Sequence, residues 1–146
     1  EILLRKVSMS DWKTLLEWRN DLETRKNSHN MDLISDDQHK LWLKSTLDNP
    51  NRELFMYLEN GVPSGTVRAD WDSLLNSYIL SWTISPACRG KGIGKRMVRL
   101  CADAMNCKLR AEIKKDNNAS ISIALHAGLS LRMEENGVLY FANYAQ

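Results

Sequence analysis

The chain has 146 residues, with 20 Lys and Arg against 18 Asp and Glu, for a net charge of +2 at pH 7. That length fits one domain, residues 1–146, burying roughly two-thirds of the surface its unfolded form exposes. So balanced a charge argues against nucleic-acid or membrane partners, and no apolar run approaches the ~20 residues that span a bilayer.

Residues 2–7 read as a first strand. Ser10 can cap a helix starting near Asp11, with Trp12, Leu15 and Leu16 on its apolar stripe. A polar connection runs over 27–30. Ser35-Asp-Asp-Gln38 is a capping box opening a second helix, which carries His39, Trp42, Leu43 and Leu47 on one face; Asn49-Pro50 stops it. Residues 53–58 form a strand, 60–65 a turn and 66–71 a third strand. Tyr78, Leu80, Trp82 and Ile84 alternate with Ile79, Ser81 and Thr83, the pattern of a half-buried strand. Ile93, Met97, Cys101, Ala104 and Met105 then recur at helical spacing. A strand (109–113), a helix (about 119–127) and two strands (130–133 and 138–143) joined at 134–137 complete the order β-α-α-β-β-β-α-β-α-β-β. No repeat or linker divides it.

No signal-peptide pattern opens the chain, and Glu1 leads almost directly into a strand, as expected if the initiating Met had been cropped. Cys88, Cys101 and Cys107 are odd in number and lack zinc spacing, which fits reduced thiols in the cytoplasm. His29, His39 and His126 are too scattered for a metal site, and no metal is expected.

The stretch between strand and helix at 84–95 carries the chemistry. Arg89, Gly92 and Gly94 make Arg-x-x-Gly-x-Gly, with Gly90, Lys91, Lys95 and Arg96 around them. Glycines permit φ > 0 and close backbone approach. The first N–H groups of a helix lack internal partners, and its dipole favours an anion there. A phosphorylated ligand is expected. The Walker A pattern fails, because Lys95 is followed by Arg96 and Arg89 stands where the first Gly belongs. The dinucleotide fingerprint fails too, since Gly90-x-Gly92 would need Gly at 95.

The loop resembles the acyl-CoA pyrophosphate loop of the GNAT N-acetyltransferase superfamily. A second likeness lies at Asn117-Asn-Ala-Ser120 leading to Gly128-Leu129. The resemblance implies an α+β fold, an α/β/α sandwich with a mixed sheet of about seven strands and about four helices. It implies acetyl-CoA as cofactor, held by Arg89, Gly90, Lys91, Gly92, Ile93, Gly94 and Lys95. Asn117 would lie beside the pantetheine arm and Ser120 near the phosphates. Main-chain N–H groups around Trp82, Thr83 and Ile84 would face the thioester carbonyl and pantetheine amides. Helix capping is the plain alternative for Asn117.

Leu16-Glu-Trp-Arg-Asn20, Arg25, Asn27-Ser28 and His39-x-x-Trp42 resemble amino-sugar-nucleotide N-acetyltransferases of pseudaminic-acid-type pathways. That likeness implies a nucleotide-linked amino sugar as the amine acceptor. Trp18, Arg19, Asn20, His39 and Trp42 would supply the cation, aromatic faces and polar groups it needs. Each could equally be core or surface. For catalysis, Asp70, Asp72 and His39 are the titratable base candidates, with water relays as an alternative. Many relatives place a thiolate-protonating Tyr seven residues after the motif Asn; here that position is Ala124, and Tyr78, Ser122 and Cys88 are the substitutes by type. The expected reaction is direct attack of a small-molecule primary amine on acetyl-CoA. An N-terminal acetyltransferase of the ribosomal-protein type and a non-catalytic acyl-CoA-binding module are the alternatives, and homodimer assembly stays open.

Overall fold

The computed structural model describes residues 1–26 and 32–145, with the side chains of 22 and 25 excepted. Strands β1 (Ile2–Lys6), β2 (Arg52–Glu59), β3 (Val62–Asp72) and β4 (Ser77–Ile84) pair antiparallel in succession. β5 (Leu109–Lys114) runs parallel to β4 and antiparallel to β7 (Val138–Ala142), which pairs with β6 (Ser130–Glu135). The sheet order is β1-β2-β3-β4-β5-β7-β6. Helices α1 (Trp12–Asn20), α2 (Leu22–Lys26) and α3 (Asp36–Asp48) precede β2, while α4 (Ile93–Met105) and α5 (Asn118–His126) flank β5.

Period-two alternation splits the apolar side chains between two faces. Tyr57, Val67, Ala69 and Leu80 pack with Met97, Val98 and Cys101 of α4 and Ile123 and Ala124 of α5. On the other face, Leu54 and Met56 pack with Leu15 and Trp18 of α1 and Leu43 of α3. Full burial of a side chain such as Leu43 or Met97 contributes roughly 1.5–3 kcal/mol. The result is the expected α/β/α sandwich, with seven strands and, among the described residues, four helices of nine or more residues plus the five-residue α2.

Two local expectations shift. The first helix is preceded by a 3-10 turn over Met9–Asp11 capped at Ser8, not Ser10. Asp11 is the cause: its carboxylate accepts from the Ser8 N–H at 3.0 Å and from two Arg5 nitrogens at 2.9 Å each. The connection expected at 60–65 is only Asn60-Gly61, both at positive φ (52° and 78°), the signature of a two-residue hairpin turn. β3 therefore starts at Val62, and a bulge between the Tyr57–Gly65 and Leu58–Pro63 pairs absorbs Ser64. The expected polar connection at 27–30 lies outside the described residues.

Beyond the bulge, Gly65 lets α4 lie close on the sheet. A Cβ there would sit 2.7 Å from both Met97 Sδ and the Thr83 carbonyl oxygen. The sulfur can turn aside, but the strand carbonyl cannot. Gly65→Ala should therefore destabilise by about 1–3 kcal/mol and lower Tm by roughly 2–12 °C. Thermal denaturation followed by circular dichroism checks this; an unchanged Tm refutes the packing argument.

Candidate active site

β4 and β5 pair only at Tyr78–Leu109 and Ile79–Arg110. Beyond those pairs the strands part, while β4 stays registered with β3 as far as Ile84. One edge of residues 80–84 thus has no strand partner. Backbone polar groups need partners, so that edge is open to a ligand. A cleft lined by Leu80, Ser81, Trp82, Glu112, Ile113, Lys114, Asn117 and Ser120 occupies the gap.

Beyond Ile84, the chain makes a short 3-10 turn (Pro86–Cys88) and enters the glycine loop. Gly90 and Gly92 adopt φ of 76° and 75°, and Gly92 is the N-cap of α4. An L side chain is strained at such φ. The turn aims the first N–H groups of α4 outward, as an anion cradle requires. Ile93 is buried and anchors the helix start.

Gly94 serves a different purpose from the phosphate approach expected of it. It is buried, and a Cβ there would collide with the Cδ1 atoms of Ile123 and Ile84. Its lack of a side chain lets α4 pack against α5 and β4.

The loop cations divide into two sets. The Arg89 guanidinium reaches Asp21 and Glu23, each at 2.8 Å, and donates to the Thr24 hydroxyl at 3.1 Å. Its side chain ties the loop to the α1–α2 corner instead of standing free for a phosphate. Arg96 pairs with both Glu59 oxygens at 2.7 and 3.1 Å and donates to the Lys91 carbonyl at 3.2 Å. Lys91 and Lys95 are exposed and have no ion-pair partner among the described residues. They are the cations left for a phosphate.

At the other side of the cleft, Asn117 caps α5, its side-chain oxygen accepting from the Ser120 N–H at 3.1 Å. Ser120 Oγ accepts from the Trp82 indole N–H at 3.3 Å. Capping and cleft lining thus coexist at Asn117. Ala124 is fully buried in the core between α5 and the sheet.

A second cavity, of about 260 Å³, lies on the α1 and α3 face. Trp18, Arg19 and Trp42 line it together with Thr66, Arg68, Ser81, Trp82 and Thr83. Ser81 and Trp82 line both cavities, so the two clefts meet across one stretch of β4.

The Arg19 guanidinium stacks on Trp42, its central carbon 4.3 Å from the ring centroid. Burial holds its pKa below the ordinary value. His39 sits behind it, fully buried, stacked on Trp42 at 5.6 Å and with Nδ1 3.0 Å from Arg19 Nη1. A guanidinium only donates, so Nδ1 accepts and the proton sits on Nε2. Burial, and then the neighbouring Arg19 charge, lower the His39 pKa and keep the ring neutral. Asn20 faces away, exchanging hydrogen bonds with the Ile34 backbone at 2.8 and 3.0 Å.

Of the residues named from sequence for catalysis, His39, Asp70 and Tyr78 do not come together. His39 is shielded from the cavity by Arg19. Asp70 accepts from Arg52 at 2.7 Å and Arg68 at 3.1 Å, and lines neither cleft. Tyr78 lies at the closed end of the β4–β5 pair, edge-on to Trp71 at 5.0 Å. Glu112 is the carboxylate that lines the cleft, and sequence reasoning missed it. Leu109, Ala111 and Ile113 face the core, so alternation alone puts Glu112 on the opposite face. That this face opens on a cleft follows only from the parting of the strands. Among the described residues no cluster of three metal-ligating side chains occurs, and no helix is long and apolar enough to cross a membrane.

A search of curated proteins finds no match. Among solved structures, the aminoglycoside acetyltransferase AAC(6')-Ib with coenzyme A and kanamycin is similar over 97% of this chain and 94% of its own, at 16% identity and TM-score 0.81. The Vibrio cholerae spermidine N-acetyltransferase with CoA and spermine is similar over 97% and 92%, at 13% identity and TM-score 0.79. An N-acetyltransferase from Staphylococcus aureus Mu50 is similar over 97% of each chain, at 16% identity and TM-score 0.73. Residues 12–128 match the acetyltransferase (GNAT) family. The chain belongs to that acetyltransferase family.

Proposed function

We propose that this chain acetylates a primary amine on a small molecule, with an amino-sugar nucleotide as the preferred acceptor. The observation that carries the reading is the meeting of two clefts at Ser81 and Trp82. One lies along the unpaired edge of β4, the strand that runs on toward the glycine cradle; the other is a pocket with three tryptophans, two guanidiniums and the hydroxyls of Thr66, Ser81 and Thr83. Tryptophan faces suit a sugar or base, hydroxyls suit sugar hydroxyls, and a guanidinium suits a diphosphate. The reduced cysteines (Cys88, Cys101, Cys107) fit a cytoplasmic setting.

Bound acetyl-CoA supplies an activated acetyl thioester. Backbone N–H groups at Gly92 to Lys95, with Lys91 and Lys95, would hold its pyrophosphate. The open edge of β4 offers N–H donors to the carbonyl and pantetheine amides, fixed in direction by the β3 pairing on the other side. The amine must lose a proton to attack. Glu112, which lines the cleft and lies 4.0 Å from an Arg110 nitrogen, would accept it, directly or through water. With Ala124 buried, no side chain at that position protonates the leaving thiolate, and solvent water would fill that role.

Gly92→Glu should abolish acetyl-CoA binding in calorimetry while circular dichroism shows a folded protein, because the side chain would fill the phosphate site. Undiminished affinity removes the cofactor assignment. Glu112→Gln should lower kcat by ~10²–10⁴-fold and leave the acetyl-CoA KM unchanged, whereas Tyr78→Phe should leave kcat within about twofold. The opposite pattern would transfer the proton-handling role to Tyr78. A panel of UDP-linked amino sugars, peptide N-termini and simple amines tests the acceptor: efficient peptide acetylation with inert sugar nucleotides overturns it.

A further inference from the structure

We propose that Arg19 and Arg68 form an anion receptor inside the acceptor pocket, with His39 as the residue that positions Arg19. The acceptor is then an amine that also carries a phosphate- or carboxylate-type group, and polycations are excluded. This inference rests on the acceptor reading above and specifies its chemistry.

The argument begins with where the arginines find counterions. Arg5, Arg89, Arg96 and Arg110 each reach a carboxylate within 3.3 Å. Arg19 reaches none among the described residues, although it is half-buried and stacked on Trp42. Arg68 shares the single carboxylate of Asp70 with Arg52 and spends only its Nε on it. Both terminal nitrogens of Arg68, and Nε and Nη2 of Arg19, have no partner among the described residues.

Arg19 and Arg68 are also the charged side chains in the pocket lining; no described carboxylate lines it. Desolvated cations without counterions are costly. A pocket that holds Arg19 without a counterion, and Arg68 sharing one carboxylate with Arg52, favours a planar or tetrahedral anion, which the guanidinium fork matches. It disfavours a ligand whose own charges are all positive.

His39 explains how Arg19 stays available. A carboxylate behind Arg19 would orient it equally well but would neutralise it. A neutral imidazole accepting through Nδ1 fixes the fork and leaves its charge for the ligand. His39 itself is fully buried, so it acts through Arg19 and not on the acceptor.

The test uses the full chain saturated with CoA, so that the glycine cradle is occupied, and titrates inorganic pyrophosphate by calorimetry. Wild type should bind it. Arg19→Gln and Arg68→Gln should each weaken binding tenfold or more, in line with loss of a charge-assisted hydrogen bond. His39→Asn, whose amide oxygen can accept from Arg19, should retain affinity that His39→Leu loses, with circular dichroism confirming that both fold. In turnover, phosphoethanolamine should exceed ethanolamine and spermidine at least tenfold in kcat/KM. Arg19→Gln should erase that preference through KM. No pyrophosphate binding by wild type, unchanged affinity in Arg19→Gln, or a preference for spermidine overturns the proposal. If no amine is acetylated, the catalytic reading fails, and the calorimetry still decides the receptor.

Discussion

The parting of β4 from β5 after two residue pairs is the constraint on which the site depends. A strand in mid-sheet normally uses both edges, and an unpaired edge is a liability that folds avoid. Here β4 is held along its whole length by β3 and along only its first residues by β5. β5 is meanwhile committed to β7 over five pairs. The gap is therefore kept open by pairing elsewhere, not by looseness. Trp82 helps hold it: the indole packs against the α4–α5 core and donates to Ser120 at the start of α5. The bulge at Ser64 and the bare Gly65 bring β3 and α4 into register on the same strand.

Charge is distributed with similar economy. The arginines nearest the glycine loop are occupied by protein carboxylates, so the cradle relies on backbone N–H groups, the helix dipole and two lysines. Lysine is a compact, mobile cation that tolerates solvent exposure. In the acceptor pocket the arrangement reverses. There a rigid fork is stacked on an aromatic ring and steadied by a neutral imidazole. On the proposed reading, the two half-sites use different cations because one would wrap a phosphate with main chain and the other would recognise a group with side chains alone.

Much of this was legible in the sequence. Alternation at Tyr78–Ile84, helical spacing from Ile93 and the glycines between them located the cradle, because backbone conformation there is dictated by residue type. Trp18, Arg19 and Trp42 were also found, since residues on amphipathic helices can be placed by periodicity. The catalytic choices were less legible. Asp70, His39 and Tyr78 have suitable chemistry, but whether a carboxylate is spent on arginines or an imidazole is sealed behind a guanidinium depends on cross-strand partners distant in sequence. Glu112 and Arg68 were missed for the same reason. The short turn at Asn60-Gly61 was obscured by Pro63 and Ser64, which read as loop residues but lie at a bulge. Arg89 carries the family pattern, yet its side chain is claimed by Asp21 and Glu23, a contact 68 residues long in the case of Asp21.

Because β4 presents one residue to each side in turn, its length carries information that its composition does not. Trp82 reaches toward α5, while Ser81 and Thr83 face the α1 and α3 side. A substitution at Thr83 alters a wall of one cleft, whereas one at Ser81 or Trp82 alters both. Inserting or deleting a single residue between Ile79 and Ser85 would exchange the faces of every position beyond it. It would turn the tryptophan away from the α4–α5 core and Ser120, put a hydroxyl in its place, and shift the glycine cradle along the strand. Descendants of this chain are therefore free to vary acceptor specificity by point changes on α1, α3 and the pocket-facing positions of β4. Indels in this strand are closed to them, and length variation is confined to the connections on either side.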